Sequence, residues 1–319
     1  MNVVFASPID RAAIDHLSKE NDVSIAYADG ADAASMIAAC EVLVFRSGVD
    51  ITASLLDRAP RLGLIIRAGS GLDNIDLDRV RERRIRLVRI PGPSARAVAE
   101  LAFAMMLALA RNVVLADRLL REGHWPKHEL GGPLLAGKTL GVVGVGNIGT
   151  RAGRMGAAWG MDVVGCVRRF SPGRAAELKD LGITLLDDLW DVAARADFLT
   201  LHVPLTEETR HLIDATVLTA VKPGAFLVNT SRGGVVDERA LLPALRDGML
   251  AGAGLDVHEQ EGEGTRSPFA DLPNVVLTPH IGGMATDSQR DIGRRVVELL
   301  GAFAAGSLDE EARDGELVI

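Results

Sequence analysis

Thr139-Leu140-Gly141-Val142-Val143-Gly144-Val145-Gly146-Asn147-Ile148-Gly149 decides how this chain is read. Thr139–Val143 is a strand-like apolar run, glycines follow at once, and the small-residue stretch Thr150–Trp159 continues at helical spacing. A strand entering a tight glycine turn and then a helix brings backbone N–H groups and the positive end of a helix dipole to one point. No Cβ then keeps a pyrophosphate away. Glycine-rich turns also serve simple close packing. The flanking strand and helix make Gly144, Gly146, Asn147, Ile148 and Gly149 candidates for holding a dinucleotide.

Outward from this loop, short aliphatic runs alternate with Ala-, Leu- and Arg-rich stretches, the pattern of βα units and parallel sheets. One series has strands near Val3–Ala6, Val23–Ala26, Val42–Phe45, Leu64–Arg67 and Arg86–Arg89, with a helix at Asp10–Lys19. A second has strands at Thr139–Val143, Asp162–Val167, Phe198–Leu201, Phe226–Asn229, Gly252–Asp256 and Val275–Thr278. Long helical segments, Ala95–Arg111 and about Asp287–Ala305, stand at the junctions. The expected fold is α/β with two doubly wound parallel-sheet lobes. A Rossmann cofactor domain (96–286) is inserted into a flavodoxin-like substrate domain made of 1–95 and 287–319. A cleft between two such lobes is a favoured ligand site.

Composition narrows the partners. At 319 residues, 48% hydrophobic and 4% aromatic, the chain is long enough for two cores. A formal charge of -8 argues against a nucleic-acid partner, which requires a concentrated basic surface. Cys40 and Cys166 lie far apart in apolar surroundings and read as reduced structural thiols rather than a disulfide or metal site. The start MNVVFASPID lacks the basic segment, apolar core and cleavage site of an export signal, so a cytoplasmic location is expected. Leu101–Ala110 is apolar but shorter than the roughly 20 residues that span a bilayer, and is expected to be a buried helix rather than a membrane segment. The acidic stretch from Ser307 onward reads as a solvated end, with too little sequence after it for an added regulatory domain.

The strand Met161–Val167 bears on which nicotinamide dinucleotide is used. An acid about 20 residues past the glycine loop would bind the ribose hydroxyls of NAD. That place is taken instead by Arg168-Arg169, and guanidinium groups suit a 2′-phosphate. NADP is therefore expected over NAD; the alternative is a pair of arginines decorating a solvated loop.

Several motifs then fall in order: Arg67-Ala68-Gly69-Ser70-Gly71-Leu72-Asp73-Asn74-Ile75-Asp76; Pro91-Gly92 with Ala97-Val98-Ala99-Glu100; and the glycine loop. After it come Leu201-His202-Val203-Pro204-Leu205-Thr206 with Thr209, then Asn229-Thr230-Ser231-Arg232-Gly233-Gly234, Gly254-Leu255-Asp256-Val257 and Thr278-Pro279-His280-Ile281-Gly282. Over nearly its whole length the chain resembles the D-isomer-specific 2-hydroxyacid dehydrogenases. The resemblance implies NAD(P)-dependent reduction of a small 2-oxo acid, such as glyoxylate or hydroxypyruvate, by a catalytic arginine, glutamate and histidine. Arg232 has the two-pronged donor for carboxylate and keto oxygen. His280 supplies an imidazole, the side-chain type most often used as a general acid. Glu261 matches the glutamate by its offset from Asp256, although Glu259 and Glu263 stand close enough to replace it.

By the same resemblance His202, Pro204, Thr209, Thr230 and Asp256 join the cofactor contacts. The amides of Ala68, Gly69, Ser70 and Gly71 are expected to form an anion-binding nest for the substrate carboxylate. Arg46 is either a contact for a distal polar group of substrate or a surface arginine. Where the family commonly has asparagine, this chain has Ser94, so no contact is carried over there. A homodimer is implied by analogy, with Leu101–Ala110 and Trp125 as interface or core. The other class of function left open is a nucleotide-sensing binding protein, like the corepressors that resemble these enzymes.

Overall fold

The aliphatic runs do become parallel strands with helices between them, in a computed structural model that describes residues 1–28 and 30–319. Two compact units result, Met1–Ser94 with Gly283–Ile319, and Ala95–Gly282. In the first, strands β1 (Asn2–Phe5), β2 (Asp22–Ile25), β3 (Val42–Phe45), β4 (Leu64–Arg67) and β5 (Arg86–Arg89) form a parallel sheet of order β2-β1-β3-β4-β5. That is the flavodoxin-like order. In the second, seven strands lie in the order β12-β11-β10-β9-β6-β7-β8, the Rossmann arrangement. They are β6 (Thr139–Val143), β7 (Asp162–Cys166), β8 (Ile183–Leu185), β9 (Phe198–Leu201), β10 (Ala225–Asn229), β11 (Leu250–Leu255) and β12 (Val275–Leu277).

Both faces of each sheet are buried, as parallel sheets require. Alternation along a strand sends neighbouring side chains to different cores. Val3 and Phe5 join Leu64 and Ile66 on one side of the first sheet, while Val4 and Ile65 join Leu43 and Leu87 on the other. In the second unit Leu140, Val142 and Val228 share a core with Phe103, Met105 and Met106, and Leu199, Leu201 and Leu227 belong to the opposite one. Helix Gly92–Ala110 is longer than the apolar run alone suggests and is apolar enough to cross a bilayer by composition. Its face from Ala102 to Ala110 is buried core.

The sequence pattern missed two elements. Strand β8, Ile183–Leu185 at the sheet edge, has a polar threonine between its two aliphatic residues and lacks the continuous aliphatic run of β12 at the other edge. Helix Val113–Arg121 has an apolar stripe but buries none of its residues. The helix after the glycine loop runs Asn147–Ala158, starting three residues before the expected Thr150. Asn147, Ile148 and Gly149 are therefore its first turn and carry amide N–H groups that no earlier carbonyl of the helix can accept.

The expected solvated end is corrected in part: Asp309, Glu310 and Glu311 are exposed, but the residues after them pair with the sheet. After Gly306 closes helix Thr286–Ala305, the chain forms a short helix Leu308–Glu311 and returns antiparallel along β5, with Leu317 opposite Val88. The Leu87 amide donates to the Ile319 carbonyl at 3.0 Å and the Val318 amide to the Leu87 carbonyl at 2.9 Å. An unpaired strand edge is costly to leave open, and acidic composition does not prevent such pairing because Glu316 is itself neutralised. Its carboxylate, 5% exposed, receives Arg295 Nη2 at 2.6 Å and the Arg313 amide at 2.9 Å. Removing one partner of a buried pair leaves the other uncompensated, so Glu316→Ala is expected to destabilise the first unit by roughly 3 kcal/mol. Thermal and urea denaturation monitored by circular dichroism check this; an unchanged midpoint would contradict it.

Candidate active site

Every residue singled out in the second unit follows the carboxyl end of a strand. The Gly144–Gly149 loop follows β6, Arg168 and Arg169 follow β7, and His202, Pro204 and Thr209 follow β9. Thr230 and Arg232 follow β10, Asp256 and Glu261 follow β11, and His280 follows β12. Because the strands are parallel, these ends share one edge of the sheet. Chain connections reverse direction between β6 and β9, the kind of switch point at which doubly wound sheets bind ligands.

The glycine loop has the form a pyrophosphate needs. Gly144 sits at φ +90°, a backbone region that side chains disfavour, and a Cβ on Gly149 would collide with the Gly144 carbonyl. Gly146 caps helix Asn147–Ala158 without any side-chain cap, and the space where its Cβ would lie is open. Two neighbouring polar atoms are buried without hydrogen-bond partners, His202 Nδ1 and Thr230 Oγ1, at the ends of β9 and β10. Buried polar atoms are ordinarily paired, so these orphans, with the open helix start, fit a polar ligand such as a nicotinamide dinucleotide. Burial pushes the His202 imidazole down to about 4, so it is uncharged at neutral pH. Its Nε2 lies 3.1 Å from Thr200 Oγ1. Thr209 accepts from the Thr206 amide at 2.8 Å and donates to the Pro204 carbonyl at 2.6 Å, which shapes the turn after β9.

Arg168 and Arg169 both lie at the exposed end of β7. Arg168 Nη2 is 2.9 Å from Glu208 Oε1. A third arginine was not foreseen. Arg174 Nη2 reaches Thr150 Oγ1 at 3.1 Å and the Val145 carbonyl at 3.4 Å, beside the glycine loop. No sequence signal marks it, because its approach depends on how helix Pro172–Asp180 lies in the fold.

His280 stands at φ +56°, a left-handed conformation uncommon outside glycine. The turn is held by Asp256, which is 1% exposed. The Asp256 carbonyl accepts from the His280 amide at 2.7 Å, and its carboxylate accepts from the Thr278 hydroxyl at 2.6 Å and from the Ile281 and Gly282 amides at 2.8 Å each. Asp256, expected among the cofactor contacts, is therefore a scaffold of the histidine turn. His280 Nδ1 lies 2.8 Å from Glu261 Oε2. A carboxylate only accepts, so Nδ1 carries hydrogen and Nε2 is the nitrogen left for a substrate. Among the three glutamates weighed, Glu259 is turned instead to His211 at 2.9 Å, and Glu263 is exposed. Burial raises the pKa of Glu261, but the hydrogen bond and charge of His280 and the His258 amide outweigh it, leaving the carboxyl below its ordinary 4.5.

Arg232 extends from the end of β10, its Nη1 donating to the Ser231 carbonyl at 2.8 Å. Asn229, also unforeseen, shapes this turn. Its side chain donates to the Arg232 carbonyl at 2.8 Å and accepts from the Ser231 amide at 3.0 Å. A polar residue ending the otherwise apolar strand AFLVN was the available signal.

In the first unit, Arg46 and Ala68–Gly71 likewise follow strands β3 and β4. The expectation of four free amides is corrected here: the Ala68 amide donates to Phe45 at 2.8 Å and the Gly69 amide to Arg67 at 2.7 Å, which leaves Ser70 and Gly71. Arg67, missed as a site residue, is 4% exposed, lies 5.4 Å from the Phe45 ring centroid and donates from Nε to the Gly71 carbonyl at 2.9 Å. A charge ending the buried strand LIIR was its signal. Arg46 donates to Met284 Sδ at 2.9 Å, and burial pushes its pKa below the ordinary arginine value.

Comparison with known proteins gives this geometry its family. Residues 103–282 match the D-isomer specific 2-hydroxyacid dehydrogenase, NAD binding domain. The chain is 39% identical over 295 residues to a hydroxypyruvate reductase of Thermotoga maritima, covering 91% of this chain and 94% of the relative. It is 38% identical to a D-3-phosphoglycerate dehydrogenase of Methanocaldococcus jannaschii over 97% of this chain, but spans only 59% of that relative's length. A D-lactate dehydrogenase from Aquifex aeolicus, solved with NAD and lactic acid, superposes with a TM-score of 0.87 at 31% identity, covering 99% of each chain. The chain belongs to the D-isomer specific 2-hydroxyacid dehydrogenase family, and its second unit is a nicotinamide-dinucleotide-binding domain.

Proposed function

We propose that the protein reduces the C2 carbonyl of a small 2-oxo acid of the glyoxylate or hydroxypyruvate type to the D-2-hydroxy acid. The observation that carries this reading is the His280–Glu261 pair at 2.8 Å, built on a left-handed turn at the same carboxyl edge of the sheet from which Arg232 extends. A bound reduced nicotinamide supplies the hydride. Protonated His280 gives its Nε2 proton to the carbonyl oxygen as negative charge develops there, and ends as a neutral ring that keeps its Nδ1 hydrogen and still donates it to Glu261. Arg232 polarises the same carbonyl. The Ser70 and Gly71 amides anchor the substrate carboxylate, and Arg46 tunes the far end of the substrate. The glycine loop with Asn147, Ile148, His202, Pro204, Thr209 and Thr230 holds the cofactor. A sensing protein of the corepressor kind needs no proton donor with a paired carboxylate, so this pair favours the enzyme. Cys40 and Cys166, both free and buried, suit a reducing cytoplasm.

Absorbance of the reduced nicotinamide, followed with glyoxylate, hydroxypyruvate and larger 2-oxo acids, is expected to fall. Cofactor bound without turnover across that panel would favour the sensor. Glu261→Gln is expected to lower kcat roughly a hundredfold, because the carboxylate that orients the His280 imidazole is gone. In the native protein Glu261 has a depressed pKa. Its stabilising contribution is complete above the ordinary value of 4.5 and is lost only as pH falls through the depressed one.

NADPH is our proposed cofactor over NADH, supported by Arg168 and Arg169 at the end of β7 and by the absence of an acid on that strand end. Glu208 competes for Arg168 in an exposed pair. Arg168→Ala is expected to lower the NADPH-to-NADH ratio of kcat/KM by roughly tenfold, about 1.4 kcal/mol, and Glu208→Gln to raise it. A wild-type preference for NADH in this assay would overturn the choice.

A homodimer is proposed as well. Leu101–Ala110 contributes Ala102, Phe103, Met105, Met106, Leu109 and Ala110 to the core, while Val113, Val114, Leu120, Trp125 and Leu134 are exposed apolar residues on and after the helix that buries nothing. Trp125, 78% exposed, and Leu120 are the residues to change: Leu120→Asp with Trp125→Ala is expected to halve the mass seen by light scattering.

A further inference from the structure

We infer that His258 is a positioning residue that ties together the three chain segments carrying Arg232, Glu261 and His280. This inference rests on the catalytic reading above. His258 follows β11, between Asp256 and Glu261, and its contacts run in three directions. Its amide donates to Glu261 Oε1 at 3.1 Å, so the carboxylate is held at one oxygen by His258 and at the other by His280. Its Nε2 lies 3.1 Å from the Thr278 carbonyl, the same oxygen that accepts from the His280 amide at 3.1 Å. Its own carbonyl lies against Gly233, where a Cβ would overlap it, directly after Arg232.

The tautomer follows from the acceptor. A carbonyl cannot donate, so His258 Nε2 carries hydrogen and Nδ1 is left as an acceptor. That Nδ1 is buried and has no hydrogen-bond partner. A buried unpaired nitrogen is a cost, and an apolar ring of similar size would avoid it. Such a ring would also lose the Nε2–H that joins the Glu261 segment to the Thr278–His280 turn. The side chain is therefore explained by its single donor. The two acid–base partners sit on segments after different strands, β11 and β12, and the His258–Thr278 bond is a further side-chain link between them, added to those of Asp256 with Thr278, Ile281 and Gly282 and placed nearer Glu261 in the chain.

His258→Phe removes the donor and keeps ring volume; His258→Gln places an amide N–H near the same point. In steady-state reduction of the 2-oxo acid, His258→Phe is expected to lower kcat roughly ten- to hundredfold. KM for the nicotinamide should stay unchanged. His258→Gln is expected to restore most of kcat. A His258→Phe protein with native kcat overturns the inference. So does a His258→Gln protein that folds, binds cofactor by nicotinamide fluorescence and remains as slow as His258→Phe; where His258→Phe does not fold, His258→Gln compared with wild type decides. Wild-type turnover is measured first, so failure of the catalytic reading, no turnover at all, is distinct from failure of the positioning role, turnover insensitive to His258.

Discussion

The site depends on strand direction. Parallel strands cannot be joined by tight turns, so each must be followed by a crossover that returns the chain to the start of the next. All strands of a sheet then end at one edge, and the loops leaving that edge are neighbours although they are distant in sequence. Six of the seven strands of the second unit deliver a singled-out residue there, from Gly144 after β6 to His280 after β12. The buried backbone pays nothing for this, since its hydrogen bonds are complete within the sheet and the freed amides lie at the ends.

Charge and strain concentrate at that edge and are offset locally. His280 in a left-handed turn costs on the order of 1–3 kcal/mol. Asp256, itself buried, answers with four acceptor contacts to the turn, so desolvation of one carboxylate is balanced by charge-assisted bonds. The result is an imidazole whose Nδ1 is committed to Glu261 and whose Nε2 is presented in a fixed direction. The arrangement follows the logic of carboxylate–histidine pairs in general: the carboxylate sets tautomer and orientation and leaves the far nitrogen to do proton transfer.

Much of this was legible in the residues, for identifiable reasons. Continuous aliphatic runs mark strands buried on both faces, which is why β6, β9 and even the three-residue β12, VVL, were readable while β8, ITL, with a polar residue at its centre, was not. The offset from Asp256 singled out Glu261, and in the fold it is Glu261 that pairs with His280 while Glu259 turns to His211. The amides of Ala68 and Gly69 looked available because their acceptors, Phe45 and Arg67, are supplied by the neighbouring strand end and by a tight local turn. The stretch after the exposed Asp309–Glu311 run also looked solvated because the neutralising partner of Glu316, Arg295, sits on another helix.

The sequence by itself determined the fold class, the glycine loop and the types of residue available for chemistry, since these rest on local pattern: aliphatic strand runs, glycine at φ-demanding positions, an arginine, a glutamate and a histidine in ordered motifs. Tertiary structure alone decided which of those residues meet. It set Glu261 against His280, made Asp256 a scaffold, brought Arg174 to the glycine loop and left His258 Nδ1 without a partner. Hydrogen bonds between segments far apart in the chain are short-ranged and directional, so they exist only once the sheet has set those segments side by side.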